Sequence, residues 1–104
     1  MLNNCNFIGR LTSDPECAVT GEHKYARFSI AINSYNKEKI PTYIPAVCWN
    51  KRAILAEQFL KKGSKVCLTG RIETSKIKND DGRSFNWFQL VVSDIVFLES
   101  VNEK

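Results

Sequence analysis

A chain of 104 residues, 43% hydrophobic and 25% charged, is one domain's worth of sequence with an ordinary globular composition, neither disordered nor fibrous. Fifteen Lys/Arg against eleven Asp/Glu give a formal charge of +4, a weak pull toward a polyanionic partner. Cys5, Cys17, Cys48 and Cys67 form no Cys-x-x-Cys pair, and His23 is the single histidine, which speaks against a zinc site and for reduced thiols in a cytoplasmic protein.

Residues 4–11 (NCNFIGRL) carry Phe7, Ile8 and Leu11 around Gly9, a strand with a bulge or a sharp bend, and Thr12-Ser13-Asp14-Pro15 ends it. His23, after Gly21, reads as a loop residue. Residues 25–32 (YARFSIAI) alternate: Ala26, Phe28, Ile30 and Ile32 share one face, Tyr25, Arg27, Ser29 and Ala31 the other. Residues 33–41 (NSYNKEKIP) are a polar hairpin loop with one aromatic, Tyr35. Residues 43–49 put Tyr43, Pro45, Val47 and Trp49 on one face and Ile44, Ala46 and Cys48 on the other. Pro45 cannot donate to a ladder, which suggests an edge position, a bulge or the first part of the strand.

Asn50 is a good helix N-cap. Ile54, Leu55, Gln58 and Phe59 make one stripe, Lys61 and Lys62 fall in the last turn and Gly63 closes the helix, so the pattern predicts about three turns lying on a sheet. In residues 64–77, Val66, Leu68 and Ile72 share a face opposite Arg71, Glu73, Ser75 and Ile77, and Gly70 stands where a barrel strand would bend. Asn79-Asp80-Asp81-Gly82 is a hairpin turn. In residues 85–98 the alternation puts Phe88, Leu90, Val92, Val96 and Leu98 on one face and Phe85, Trp87, Gln89, Val91, Ser93, Ile95 and Phe97 on the other. Phe7, Phe28, Phe59, Phe88 and Phe97 are expected in the core.

Between residues 51 and 78, Lys51, Arg52, Lys61, Lys62, Lys65, Arg71, Lys76 and Lys78 stand against Glu57 and Glu73, so this part carries +6 and the rest −2. A binder of single strands needs ring faces for bases and cations for phosphates. Tyr43 and Trp49 share a face about 20 Å apart along an extended strand, and Asn50-Lys51-Arg52 follows Trp49 directly. No catalytic constellation, phosphate loop or metal cluster is legible, Asp80-Asp81 being turn chemistry, so no enzyme, cofactor or metal is expected. No segment is long and apolar enough to cross a membrane.

Three strands, a short helix and two long hairpin-paired strands is the order of the OB-fold, an all-β five-stranded Greek-key barrel with one helix. An open α+β sheet is the competing architecture. Residues 8–16 (IGRLTSDPE), 59–66 (FLKKGSKV), 70–74 (GRIET) and the NDDG hairpin together resemble the bacterial-type single-stranded DNA-binding protein family over about the whole chain. The resemblance implies an OB-fold domain over residues 1–99 that binds single-stranded DNA in replication, repair or recombination. It also implies a homo-oligomer, a tetramer or a dimer, with replication or repair proteins as further partners.

The family's stacking aromatics fall on Tyr35, Tyr43 and Trp49, and its hairpin tryptophan falls on Ile77. Trp87 is the candidate replacement for that ring. Basic family positions are kept at Lys51, Lys61, Lys62 and Lys76, with Arg71 added as a candidate phosphate contact, whereas two others fall on Glu73 and Pro45. Residues 100–104 read as a short polar tail without the family's acidic, hydrophobic-tipped extension, as in a short form from a phage, plasmid, mobile element or competence system, or a shortened chain. Two alternative functions stay open: a primosome-type OB adaptor acting through protein partners, and an RNA-binding OB domain.

Overall fold

The computed structural model describes residues 1–33, 37, 39–78 and 80–99, apart from the side chains at 77, 78 and 85. Its elements are β1 Cys5–Leu11, β2 Glu16–Thr20, β3 His23–Ile32, β4 Thr42–Trp49, α1 Lys51–Phe59, β5 Lys65–Lys78 and β6 Ser84–Phe97. The strands neighbour one another in the order β1-β5-β6-β4-β3-β2, and β1 also returns to β3 through Arg10–Ala31 and Leu11–Ile30. That second pairing closes β1, β5, β6, β4 and β3 into a five-stranded ring, the expected OB-fold. β4 and β6 run parallel at Ala46–Leu90 and Val47–Val91, while the other pairings are antiparallel.

β2 was not expected. Its five residues, ECAVT, offer too little alternation to read, yet they pair with β3 from Glu16–Arg27 to Thr20–His23 across a turn in which Gly21 takes φ +60°. His23 is therefore a strand residue rather than a loop one. The alternation read in β3 and β4 holds: Ala26, Phe28 and Ile30, with Ile44, Ala46 and Cys48, point into the core. Pro45 lies in the first half of β4. The Ser29 carbonyl accepts from the Thr12 N–H on the side of β3 away from β4, so Ser29–Pro45 is a non-hydrogen-bonded pair and the missing proline N–H removes no β3–β4 ladder bond.

In β6 the expected faces hold only as far as Val92. Gly70 pairs with Val92 but Thr69 pairs with Asp94, leaving Ser93 as an extra residue whose hydroxyl donates to the Thr69 carbonyl at 3.1 Å. A one-residue bulge inverts every side chain beyond it. Ile95 and Phe97 consequently turn inward against the core, while Val96 and Leu98 face out, opposite to expectation. Phe59 and Phe88 are also exposed rather than core, whereas Phe28 is buried and Phe7 and Phe97 are half-buried against it.

The helix buries a different stripe from the predicted one. Ala53 and Ala56 are 0% exposed and Leu60 follows them inward, whereas Ile54, Leu55 and Phe59 are exposed. Ala53 and Ala56 join the buried cluster that includes Ala26 and Cys48 of β3 and β4, so size rather than hydrophobicity selects the packed side. Asn50 starts the helix at φ +57° without a side-chain cap; instead its N–H donates to the Lys24 carbonyl at 2.7 Å and its Oδ1 accepts from the Lys24 N–H. The helix ends before Lys61 and Lys62, and Gly63 (φ +91°) belongs to the turn into β5, its N–H donating to the Leu11 carbonyl. The Asp81-Gly82 turn joins β5 to β6 as expected, with Lys78 paired to Ser84; Asn79 lies outside the described residues.

Close backbone approach at the bulge requires glycine at position 70, where a Cβ would sit 2.1 Å from the Val91 carbonyl oxygen. Gly70→Ala is expected to cost about 1–3 kcal/mol, visible in a thermal melt as a fall of roughly 4–8 °C per kcal/mol. Burial pushes the Cys48 thiol from its ordinary 9.0 up to about 11, with Cys17 nearby adding to the rise and Arg52 opposing it. A raised thiol stabilises the fold while the unfolded thiol stays protonated; that contribution is lost as pH rises through the window from 9.0 to about 11. The urea midpoint should fall across that window, and at pH 8 iodoacetamide should modify the partly exposed Cys5, Cys17 and Cys67 before Cys48.

Candidate nucleic-acid interface

Because the ring turns one side of each strand inward, the outward positions of β3, β4, β6 and β5 form one surface. A single row crosses all four strands: Arg27 pairs with Val47, Val47 with Val91 and Val91 with Arg71. Two arginines, roughly 14 Å apart at the inter-strand spacing, thus flank an apolar centre in which Val47 is buried and Val91 half-buried. Tyr25 pairs with Trp49 in a neighbouring row of β3 and β4, and Tyr43 pairs with Ala31 toward the start of β4.

Tyr43 (56% exposed), Trp49 (40%) and Trp87 (46%) all reach solvent. Trp49 does not stand alone. The Tyr25 ring lies 5.3 Å from it at 56°, His23 meets it edge-on at 6.5 Å, and the Arg27 guanidinium sits 5.1 Å over the Tyr25 ring. These contacts make His23, Trp49, Tyr25 and Arg27 one continuous ledge with a cation at its end. Trp87, its ring 6.3 Å from that of Phe88 at 31°, lines a cleft of about 590 Å³ together with Arg27, Gln89, Ser29 and Glu16.

The candidate cations are placed unequally. Arg71 lies on the four-strand surface, where it donates to Glu73 at 2.9 Å. Lys51 opens α1 two residues after Trp49. Lys61 and Lys62 stand at the other end of α1, beside the β1–β2 turn, where the Lys62 N–H donates to Asp14 Oδ1 at 2.8 Å. Lys76 is exposed, but it pairs with Asn86 while the adjacent Ser75 pairs with Trp87, so it points to the opposite side of the β5–β6 arm. Tyr35 lies outside the described residues, as does the side chain of Ile77.

Sequence reasoning missed Arg27 and Glu16 and left Tyr25 unassigned. The signal for Arg27 was present in the outward register it shares with Tyr25. Glu16 had none, because β2 was unread. Among the described residues no group of three or more His, Cys, Asp or Glu could hold a metal ion, and no helix is long and apolar enough to cross a membrane.

A closed five-stranded sheet with rings and guanidinium groups on its outer surface is the architecture of OB modules that bind oligonucleotides or oligosaccharides. Comparison with known proteins narrows that class. The model of the single-strand binding protein family matches residues 2–98. The chain is 34% identical to the Single-stranded DNA-binding protein 2 of Listeria monocytogenes serovar 1/2a, over 98% of this chain and 67% of that protein. It is 33% identical to the Single-stranded DNA-binding protein 1 of Lactococcus lactis subsp. lactis, over 96% and 70% of the two chains. It is also 33% identical to the Single-stranded DNA-binding protein 3 of Streptococcus agalactiae serotype V, over 100% and 79%. The chain belongs to the single-strand binding protein family.

If Tyr25 shields one side of the Trp49 ring, removing it must expose that ring. In a Trp87→Phe background, where Trp49 is the sole tryptophan, Tyr25→Ala should red-shift the tryptophan emission and raise its acrylamide quenching. An unchanged spectrum would mean that the two rings do not pack in solution.

Proposed function

We propose that the chain binds single-stranded DNA in replication, repair or recombination, through bases stacked on Tyr43, Trp49 and Trp87 and phosphates held by Arg71 and Lys51. Lys61, Lys62 and Lys76 extend the phosphate path around the molecule, and Tyr35, between β3 and β4 in the sequence, adds a ring. The observation that carries this reading is the four-strand outer surface, where exposed rings flank the Arg27–Val47–Val91–Arg71 row. Rings with free faces serve any base and guanidinium groups serve any phosphate, so binding follows the strand rather than a motif. The names of the relatives agree with it.

The same reading includes self-association and a cytoplasmic setting. On the opposite flank Ile8 pairs with Cys67 and Cys67 with Val96, and both Ile8 and Val96 are exposed. Among the described residues β1 meets β3 only at Arg10 and Leu11, and none of them pairs as a strand with the edge of Cys5 to Ile8 on that side. An open edge beside an apolar row suits a second copy of the chain, with replication or repair proteins as further partners of the assembly.

Titration with poly(dT) should quench tryptophan emission, with log affinity falling against log salt by about 0.7 per phosphate neutralised. Trp49→Ala and Trp87→Ala should each weaken binding by about 1–3 kcal/mol. Glu73→Gln, which releases Arg71 and removes a negative charge from the phosphate path, should strengthen binding and steepen the salt slope. Neither quenching nor salt-sensitive binding at low salt would overturn the proposal.

A further inference from the structure

The cleft beside Trp87 has a composition that sequence-neutral binding does not call for. Its volume of about 590 Å³ is on the scale of a small-ligand site. One wall is an exposed indole, but much of the rest is directional: Glu16, Arg27, Gln89, Ser29 and Ser75. A carboxylate there is unfavourable for a polyanion, since it repels each phosphate that passes. Glu16 and Arg27 are direct partners across the β2–β3 ladder, which sets their Cβ atoms about 4.5–5.5 Å apart. Among the described residues neither takes part in an ion pair, and Arg27 instead lies over the Tyr25 ring. The acceptor and the donor are therefore both available, side by side, at the rim of a stacking pocket.

We propose that this cleft takes one base at a time, stacked on Trp87, and that Glu16 and Arg27 read its edge with a preference for guanine. The inference rests on the single-stranded DNA reading and adds a base preference to it. Guanine presents two adjacent donors, N1–H and the exocyclic N2 amino group, that match the two oxygens of one carboxylate; its neighbouring O6 accepts from a guanidinium. Thymine places a carbonyl oxygen on each side of its single N–H, so one oxygen opposes the carboxylate. Adenine offers a single amino group beside an acceptor nitrogen. The acid that weakens phosphate binding thereby becomes the acceptor that distinguishes bases.

The test compares twenty-nucleotide strands d(TTTG)5, d(TTTA)5, d(TTTI)5 and dT20 by fluorescence anisotropy at fixed salt, I being inosine, which lacks the N2 amino group. The native chain should bind d(TTTG)5 roughly fivefold or more tightly than d(TTTA)5, with d(TTTI)5 between them. Glu16→Gln, on an exposed strand position, should bring that ratio close to one while dT20 binding stays equal or improves. Equal affinity for the guanine and adenine strands, or a ratio that survives Glu16→Gln, overturns the base preference and leaves DNA binding standing. If none of the four strands binds, the DNA reading itself fails.

Discussion

The close approach of β1 to β3 at Gly9 is the constraint on which the rest of the molecule depends. A Cβ at that position would lie 2.6 Å from the Ala31 carbonyl oxygen, a backbone atom that cannot step aside. With glycine there, Arg10 and Leu11 reach Ala31 and Ile30, and the ring closes. Leu11 and Ile30 are then buried at 2% and 0% exposure; an open sheet would leave that apolar face wet. The junction is held from outside by the Arg10 guanidinium, which donates to the Gly63 carbonyl at 2.9 Å and to both carboxylate oxygens of Glu99. Closure also frees the outer surface. With the core complete on the inside, most outward positions are left to solvent, although Val47 at the middle of that surface is buried at 3% exposure.

How that outer surface is divided follows from a second irregularity, the extra residue at Ser93. Before it, β6 presents Trp87, Gln89 and Val91 outward, in line with the arginine row. After it, the same outward direction is occupied by Val96 and Leu98, next to Cys67 and Ile8 of the neighbouring strands. One strand thus contributes a polar, aromatic surface at one end and an apolar one at the other. A strand of unbroken alternation would keep Phe97 and Ile95 outside and lose them from the core.

What could be read from the sequence separates along the same physical lines. Strict period-two alternation made β3 and β4 legible, and with them the outward placement of Tyr43 and Trp49. The Ser93 bulge was illegible because a polar residue in mid-strand looks the same whether it sits in register or interrupts it. The helix stripe was misread because Ile54, Leu55 and Phe59 carry the hydrophobicity, whereas the side of the helix that is buried carries Ala53 and Ala56. Arg27 and Glu16 could not be joined without β2, since it is the hairpin around Gly21 that brings position 16 beside position 27. Tyr35 lies outside the described residues.

The fold disperses the excess of positive charge between residues 51 and 78. Lys51 and Arg52 open the helix, Lys61 and Lys62 stand at its far end, Lys65 lies beside Arg10, and Arg71 meets Glu73. An exposed pair such as Arg71–Glu73 is worth only about 0–1 kcal/mol, so an arriving phosphate can displace the carboxylate. Each stacked base contributes more than such a pair, about 1–3 kcal/mol. In the proposed mode of binding, rings set where the strand lies, and the dispersed cations adjust to it. That order of importance explains how a site can tolerate Glu16 and Glu73 among its cations: a surface that relied on phosphate attraction could not hold two acids beside its arginines without forfeiting the binding they provide.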